Sequence, residues 1–273
     1  MLTNRQGVVS ELPASTFVRL SLISGLEKAV QHFWRTRGRQ KKRQGGDTGL
    51  KDAGNRAAVT GGKHADGFVR LIAAIVKDAA LPNVEINVTE KKPRTLPGFY
   101  RPCKEWDLVI LSDNNLVAVV EVKSQVGSFG NNFNNRVEEA LGNATDFWAA
   151  YREGAFKPSQ KPWLGYLFML EETPTSMRPT QRITLKPYNV DEAFQERSYA
   201  KRYELVCERL VRDRLYDAAC FFTSDADTGR RGQYREPNNE LSIRNFAISL
   251  HARATAFARA GKDLKVLEAD DDQ

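Results

Sequence analysis

Asp107, Glu121 and Lys123 are the residues whose types and spacing could do chemistry in this chain. Trp106-Asp107-Leu108-Val109-Ile110-Leu111 is followed by a short polar turn and then by Val117-Ala118-Val119-Val120-Glu121-Val122-Lys123, which sets an acid, a second acid and a base at the ends of two apolar runs. Two carboxylates converging on one edge bind a hard divalent cation such as Mg2+, which takes oxygen ligands and keeps waters for exchange with a substrate phosphate. A neighbouring ammonium can orient or help deprotonate the attacking water and offset charge in the transition state. The pattern reads as a metal-dependent phosphodiesterase site. Glu-X-Lys alone is more commonly a solvated ion pair, and it is the Asp on a partner run in an apolar setting that favours chemistry.

Convergence depends on the strands. Leu108 to Leu111 and Leu116 to Val120 are aliphatic and β-branched runs bounded by Ser112-Asp113-Asn114-Asn115, which makes them a hairpin. The second run carries no polar residue on either face, so it is expected to be a central strand covered by helices on both sides, with Glu121 and Lys123 at its exposed end. Alternation puts Glu121 and Lys123 on one face and Val122 on the other. Gln125 continues the Glu121 face, either orienting water or phosphate or satisfying a loop carbonyl. Asp107 shares that face only if the strands pair with an even residue sum, most simply Asp107 opposite Glu121. That demands an odd loop, Asp113-Asn114-Asn115 with Asn115 left-handed. A two-residue loop is expected to place Asp107 on the wrong side.

The Asp followed at this distance by Glu-X-Lys resembles the PD-(D/E)xK nuclease motif, with Trp106 where many members have Pro. The flanking blocks are more specific. They are Leu96-Pro97-Gly98-Phe99-Tyr100-Arg101-Pro102, Lys104-Glu105-Trp106-Asp107 and Glu121-Val122-Lys123-Ser124-Gln125-Val126-Gly127 continuing to Arg136, with Gly62-Lys63-His64-Ala65-Asp66-Gly67-Phe68 before and Ala149 to Phe156 after. Together they resemble the XhoI family of type II restriction endonucleases, over roughly Gly61 to Leu170. The resemblance implies a Mg2+-dependent homodimer that cleaves double-stranded DNA at the palindrome CTCGAG, paired in the cell with a methyltransferase that protects the site. Asp107, Glu121 and the backbone carbonyl of Val122 would hold Mg2+, and Lys123 would assist the water in an in-line attack leaving 5′-phosphate and 3′-hydroxyl ends. Some nucleases of the superfamily recruit an acid from a preceding helix, so Asp66 is an accessory candidate, although a residue favouring the helix dipole is the plainer account. The residues themselves lead only to a metal-dependent nuclease. A repair or recombination nuclease of the same superfamily, or a DNA-binding module with an inactive site, remains open.

Composition agrees with a DNA partner. The chain has 41 Lys and Arg against 34 Asp and Glu, and residues 1–63 hold 12 of the bases and 4 of the acids. Arg35, Arg37, Arg39, Lys41, Lys42 and Arg43 follow an expected helix over Phe17 to Trp34 ending near Gly38. They suit phosphate contact, or equally a mobile, solubilising linker running into Gly45-Gly46-Asp47-Thr48-Gly49. The segment Ser128 to Arg136 is expected as an amide-rich loop leaving the catalytic strand. Asn131, Asn132, Asn134, Asn135 and Arg136 could read base edges or phosphates there, or serve turns and a cap. Arg230 and Arg231 form a second candidate contact or an ordinary surface loop.

The other classes fall away. Cys103, Cys207 and Cys220 have no paired spacing, which disfavours a disulfide framework and a zinc site and fits a reducing cytoplasm. No apolar run approaches the roughly 20 residues that span a bilayer, and no signal-type core follows Met1. Gly61-Gly62-Lys63-His64 lacks the first Gly and the Ser or Thr of a P-loop. His32, His64 and His251 are scattered, against a His-based site.

The expected fold is α/β, a mixed central sheet flanked by helices, with residues 1–60 as a helical and basic extension and 61–273 as the endonuclease domain, in one compact unit. Stripes predict helices over Phe68 to Ala79 and over Val137 to Trp148, a charged helix with a solvated face over Arg197 to Tyr216, and a C-terminal helix near Arg244 to Arg259. Strands are expected at Val84 to Val88, Trp163 to Leu170 and Ala218 to Phe222, with Glu85 and Glu90 exposed rather than at the site.

Overall fold

The computed structural model describes residues 14–43, 64–88 and 94–270, with side chains over 21–39, 64–88 and 94–260. Five long helices and seven strands follow in chain order among the described residues. They are α1 (Ala14–Arg43), α2 (Asp66–Lys77), β1 (Val84–Asn87), β2 (Thr95–Pro97), β3 (Cys103–Glu105), β4 (Leu108–Ser112), β5 (Asn115–Gln125), α3 (Phe129–Arg152), β6 (Trp163–Glu171), α4 (Tyr199–Arg212), β7 (Ala218–Ser224) and α5 (Ile243–Asp270). β1, β4, β5, β6 and β7 form one sheet in that order, and β2 with β3 forms a separate two-stranded ribbon. The β1–β4 and β4–β5 pairs are antiparallel, whereas β5–β6 and β6–β7 are parallel. This is the expected mixed α/β sheet, with β5 at its centre.

From Leu116 to Val120 of β5 and from Trp163 to Leu170 of β6 the strands carry no charged residue, because both faces are covered there. Val120, Val122, Leu167, Met169 and Phe222 pack on one face against Leu26, Phe33, Ile72 and Phe246 of α1, α2 and α5. Val119, Tyr166, Phe168 and Phe221 pack on the other against Ala144 and Phe147 of α3 and Tyr203 and Cys207 of α4. The basic run after Trp34 does not follow a helix but continues one, since α1 extends to Arg43. Gly38 is no stop there because the helix is already anchored by Leu26, Val30, Phe33 and Trp34 in the core. Helix α4 is less solvated than its charges suggest. Its hydroxyl cap Ser198 starts it, and Tyr203, Cys207 and Leu210 make an apolar stripe beneath them.

The hairpin corrects one expectation and keeps its consequence. Asp113 and Asn114 both have positive φ, 47° and 61°, so the turn has two residues with the left-handed backbone of a type I′ hairpin, and Asn115 belongs to β5. By parity alone this would turn Asp107 away from Glu121. The pairing, however, runs Leu108 with Val120, Val109 with Val119 and Ile110 with Ala118, then slips to Leu111 with Leu116. Val117 is the extra residue of a β-bulge, and it restores the even sum. Asp107 therefore stands one step beyond the Leu108–Val120 pair, opposite Glu121, as required.

Asn114 carries the steeper backbone demand of the turn. Asn114→Gly should leave stability unchanged or slightly raised, while Asn114→Val should cost about 1–2 kcal/mol, read as a lower urea midpoint at unchanged slope.

Candidate active site

β5 outruns β4 by five residues. Beyond Val120 its face is bordered by β6 alone, where Glu121 pairs with Tyr166, Lys123 with Phe168 and Gln125 with Leu170. Glu121 and Lys123 thus lie inside the strand rather than at its exposed end, and Glu121 is only 1% exposed. The opening that the missing neighbour leaves is filled by Asp107. Its Oδ2 accepts the Val122 backbone N–H at 2.8 Å, a donor that β4 would otherwise have bonded.

The carboxylates are crowded and dry. Burial and then the Glu121 charge push the Asp107 carboxyl up to about 6, against the opposing pull of the Val122 N–H, Lys123 and Lys104. Lys123 Nζ lies 2.5 Å from Glu121 Oε1. Burial alone would lower this lysine, but Glu121, Asp107 and Glu139 of α3 outweigh it and hold the ammonium above its ordinary value. Glu121 Oε2 has Lys104 Nζ at 3.0 Å but accepts no hydrogen bond. A buried carboxylate oxygen without a hydrogen bond, beside a second carboxylate that resists ionisation, is a donor set that fits a cation. Among the described residues no three His, Cys, Asp or Glu side chains gather around one centre. Two carboxylates suffice for an ion that retains water, so the set suits Mg2+ better than Zn2+.

Other candidates are placed apart. Asp66 is the first residue of α2 and exposed, on a helix packed against the opposite face of the sheet from Glu121. The charges acting on Asp107 are Glu121, Lys123 and Lys104, and Asp66 is not among them. Its carboxylate favours the helix dipole there, although the capping position itself is Ala65. Gln125 is buried, and its Nε2 donates to the Gly127 carbonyl at 2.6 Å, the structural role anticipated for it. Glu85 is exposed on β1, and Glu90 lies outside the described residues.

The segment Ser128 to Arg136 is not a loop. Gly127 and Ser128 turn the chain with φ of 66° and 48°, and α3 begins at Phe129. Asn is a poor helix former, but Phe129 and Phe133, four residues apart, bury against Tyr199 and Tyr203 and hold the first turns in place. Asn131, Asn134 and Asn135 are exposed and share one helical face by their spacing of three and four, while Asn132 donates to the Ser128 carbonyl. Arg136 is paired with Glu139 at 2.6 Å. Arg230 and Arg231 are exposed on a helical turn after β7, and Arg230 lies near Gly38 of α1. Arg37 reaches the same end of the sheet, close enough to Glu171 at the end of β6 to act on it. The side chains of Lys41, Lys42 and Arg43 lie outside the described residues.

Two features of the site were not anticipated. One is Lys104. The other is Asp146 of α3, buried, which accepts the N–H groups of Phe99 and Tyr100 at 2.9 and 2.8 Å and Arg101 Nε at 2.8 Å, while Arg101 also donates to Asn143. This clasp fixes the tip of the β2–β3 ribbon, whose second strand leads directly to Asp107. The turn needs Gly98, because a Cβ there would sit 2.6 Å from the Arg101 carbonyl oxygen and 2.7 Å from Asp146 Oδ2.

The comparisons with known proteins now decide the family. The family model described as restriction endonuclease XhoI matches residues 41–236. The chain belongs to the XhoI family of restriction endonucleases. It is 48% identical over 206 residues to the type II restriction enzyme BstVI of Geobacillus stearothermophilus, covering 73% of this chain and 91% of that one. It is 40% identical over 183 residues to the type II restriction enzyme XhoI of Xanthomonas vasicola, covering 67% and 72%, and 45% identical over 150 residues to AbrI of Azospirillum brasilense, covering 55% and 66%. No solved structure matches the chain. The expectation of a type II site-specific deoxyribonuclease stands on these relationships. All three cysteines are free, and no helix of the described residues is long and apolar enough to cross a membrane.

Asp146 gives a test of how the ribbon is held. Its three donors keep the carboxyl below the usual range, even though burial alone would raise it. A depressed folded-state value stabilises the fold above the unfolded value near 4 and loses that contribution as pH falls through it. Asp146→Ala should therefore cost about 2 kcal/mol at pH 7, and the gap from the parent should narrow below about pH 4 in denaturant titrations.

Proposed function

We propose that the protein is a restriction endonuclease that hydrolyses double-stranded DNA at the palindrome CTCGAG, leaving 5′-phosphate and 3′-hydroxyl ends. The observation that carries the proposal is that Asp107, one step beyond the Leu108–Val120 pair, lies close enough to Glu121 to act on it, with Lys123 on Glu121, in a chain of this family. Asp107, Glu121 and the backbone carbonyl of Val122 would hold Mg2+. The bound ion would supply positive charge to the phosphate and acidity to its water. Lys123, held charged beside Glu121, orients the attacking water and offsets charge as it develops on the phosphoryl oxygens. The palindromic target is implied by the family resemblance. A palindrome presents two symmetric half-sites, so the protein acts as a C2 homodimer in which each subunit cuts one strand. A cognate methyltransferase would shield the same sequence in the cell, where both work in the cytoplasm.

Recognition is assigned to the rim of this site. Asn131, Asn134 and Asn135 present amides from one exposed face at the start of α3, directly after the catalytic strand, and suit bidentate contacts to adenine edges. Asn132 and Arg136, held by Ser128 and Glu139, shape that face. Arg230 and Arg231, with the basic end of α1, supply phosphate contact that carries no sequence information.

The first test is a plasmid carrying one CTCGAG site, incubated with Mg2+ or EDTA beside a plasmid with one base pair of the site changed. Cleavage of the first alone, and only with Mg2+, is expected. Cutting of both would remove the target sequence from the proposal, and cutting of neither with binding intact would make the protein a DNA clamp. Lys123→Ala should lower single-turnover cleavage by about 10²–10³-fold with little change in DNA affinity, while a clamp would be indifferent to it. Arg230→Ala and Arg231→Ala should weaken binding to cognate and altered duplexes alike, each reducing the slope of log affinity against log salt by about one.

A further inference from the structure

Lys104 lies at the catalytic pair, and the Asp, Glu-X-Lys pattern has no place for it. It belongs to the β2–β3 ribbon rather than to the central sheet, and its side chain is only 13% exposed. Its Nζ lies 4.4 Å from the centroid of the Trp106 ring, donates to the Glu105 carbonyl at 3.0 Å and sits 3.0 Å from Glu121 Oε2. Lys123 occupies the other oxygen, Oε1. Each oxygen of Glu121 thus faces one ammonium, and the two lysines cancel the charges of Asp107 and Glu121 when both are ionised.

The contact at Oε2 is coulombic, since that oxygen accepts no hydrogen bond. Lys104 nevertheless has other satisfaction nearby, in the Glu105 carbonyl and the indole face. It is a cation placed where it can leave one partner without losing all of them.

We infer that Lys104 is a resident counter-cation that occupies the Oε2 position in the ion-free protein and competes with the divalent ion for it. This rests on the assignment of Asp107 and Glu121 as ion ligands under the proposed function. Two consequences follow from charge alone. Lys104 stabilises the ion-free site, so that loading must displace it and the ion concentration needed for loading is raised. Loading also turns a neutral cluster into a positive one with Lys104 still tethered beside it, so phosphodiester binding and ion binding promote one another by the same factor. The free protein then holds neither its ion nor DNA phosphate tightly at this point, and the two arrive together.

The test is Mn2+ binding to the full chain without DNA, followed by electron paramagnetic resonance, for the parent, Lys104→Met and Lys104→Arg, with thermal unfolding of each with and without the ion. Lys104→Met should bind Mn2+ about tenfold more tightly, because a competing charged contact is gone. It should also melt lower when ion-free, regain stability when loaded, and bind DNA less tightly in the loaded form. A lysine with only a packing role would lower ion affinity and stability together. Lys104→Arg keeps the charge and should bind Mn2+ as the parent does, so it also decides the question if Lys104→Met fails to fold. A folded Lys104→Met that binds Mn2+ equally or more weakly overturns the inference while leaving the parent's ion site intact, and so does a Lys104→Arg that binds more tightly. A parent that binds no Mn2+ with or without DNA overturns the ion-ligand assignment and this inference with it.

Discussion

Two carboxylates, Glu121 on the central buried strand and Asp107 just ahead of its neighbour, lose water and repel one another on one face of the sheet, and the surrounding structure is arranged to hold them there. Burial first, and then the Glu121 charge, push the Asp107 carboxyl up to about 6, so its ionised form is disfavoured there. The chain offsets this with a backbone donor at Val122 and two ammonium groups. A fully satisfied pair would be an inert structural ion pair, whereas a pair with an oxygen lacking a hydrogen bond is a donor set that would fit a hard cation.

How the pair is brought together explains which parts of the molecule can be read from sequence. Aliphatic runs and a polar turn were enough to identify β4, β5 and their antiparallel pairing, because burial on both faces leaves a chemical signature in every residue. The facing of Asp107 and Glu121 was also legible, since alternation admits few arrangements. Its route was not. Asp113 and Asn114 favour a two-residue turn, and Val117 supplies the compensating extra residue, yet a bulge inside an apolar run has no compositional mark. Val117 and Ala118 both turn toward the α1, α2 and α5 face, and only the three-dimensional pairing distinguishes that from strict alternation.

The amide-rich segment failed for a different reason. Asn residues and two glycines speak for a loop, but Phe129 and Phe133 continue the stripe of α3 backward at four-residue steps, and their burial against α4 overrides local propensity. That signal was present and outvoted. Lys104 and Asp146 carried none. Lys104 lies on a three-residue strand just after Pro102 and looks like any surface lysine until the ribbon folds over Glu121. Asp146 sits within an ordinary helical stripe, and its importance comes from three donors 45 to 47 residues away.

The two faces of the sheet divide the labour. The face packed by α1, α2 and α5 is an apolar layer, and Asp66 belongs to that side, opposite Glu121. The other face carries the acids. Besides Val122 and Lys123 of β5 itself, the charges around them come from the ribbon and from α3: Lys104 through β3 and Glu139 through its effect on Lys123, while Asp146 holds the ribbon tip. Because β3 runs directly into Asp107, the clasp on the ribbon and the geometry of the acids are mechanically one unit. α3 in turn begins three residues after β5, so its exposed Asn face is tied closely to the strand that carries Glu121 and Lys123. A substrate gripped at the start of α3 would therefore be registered against Glu121 and Lys123 by a turn of three residues, which is the short, stiff connection that positional cutting requires.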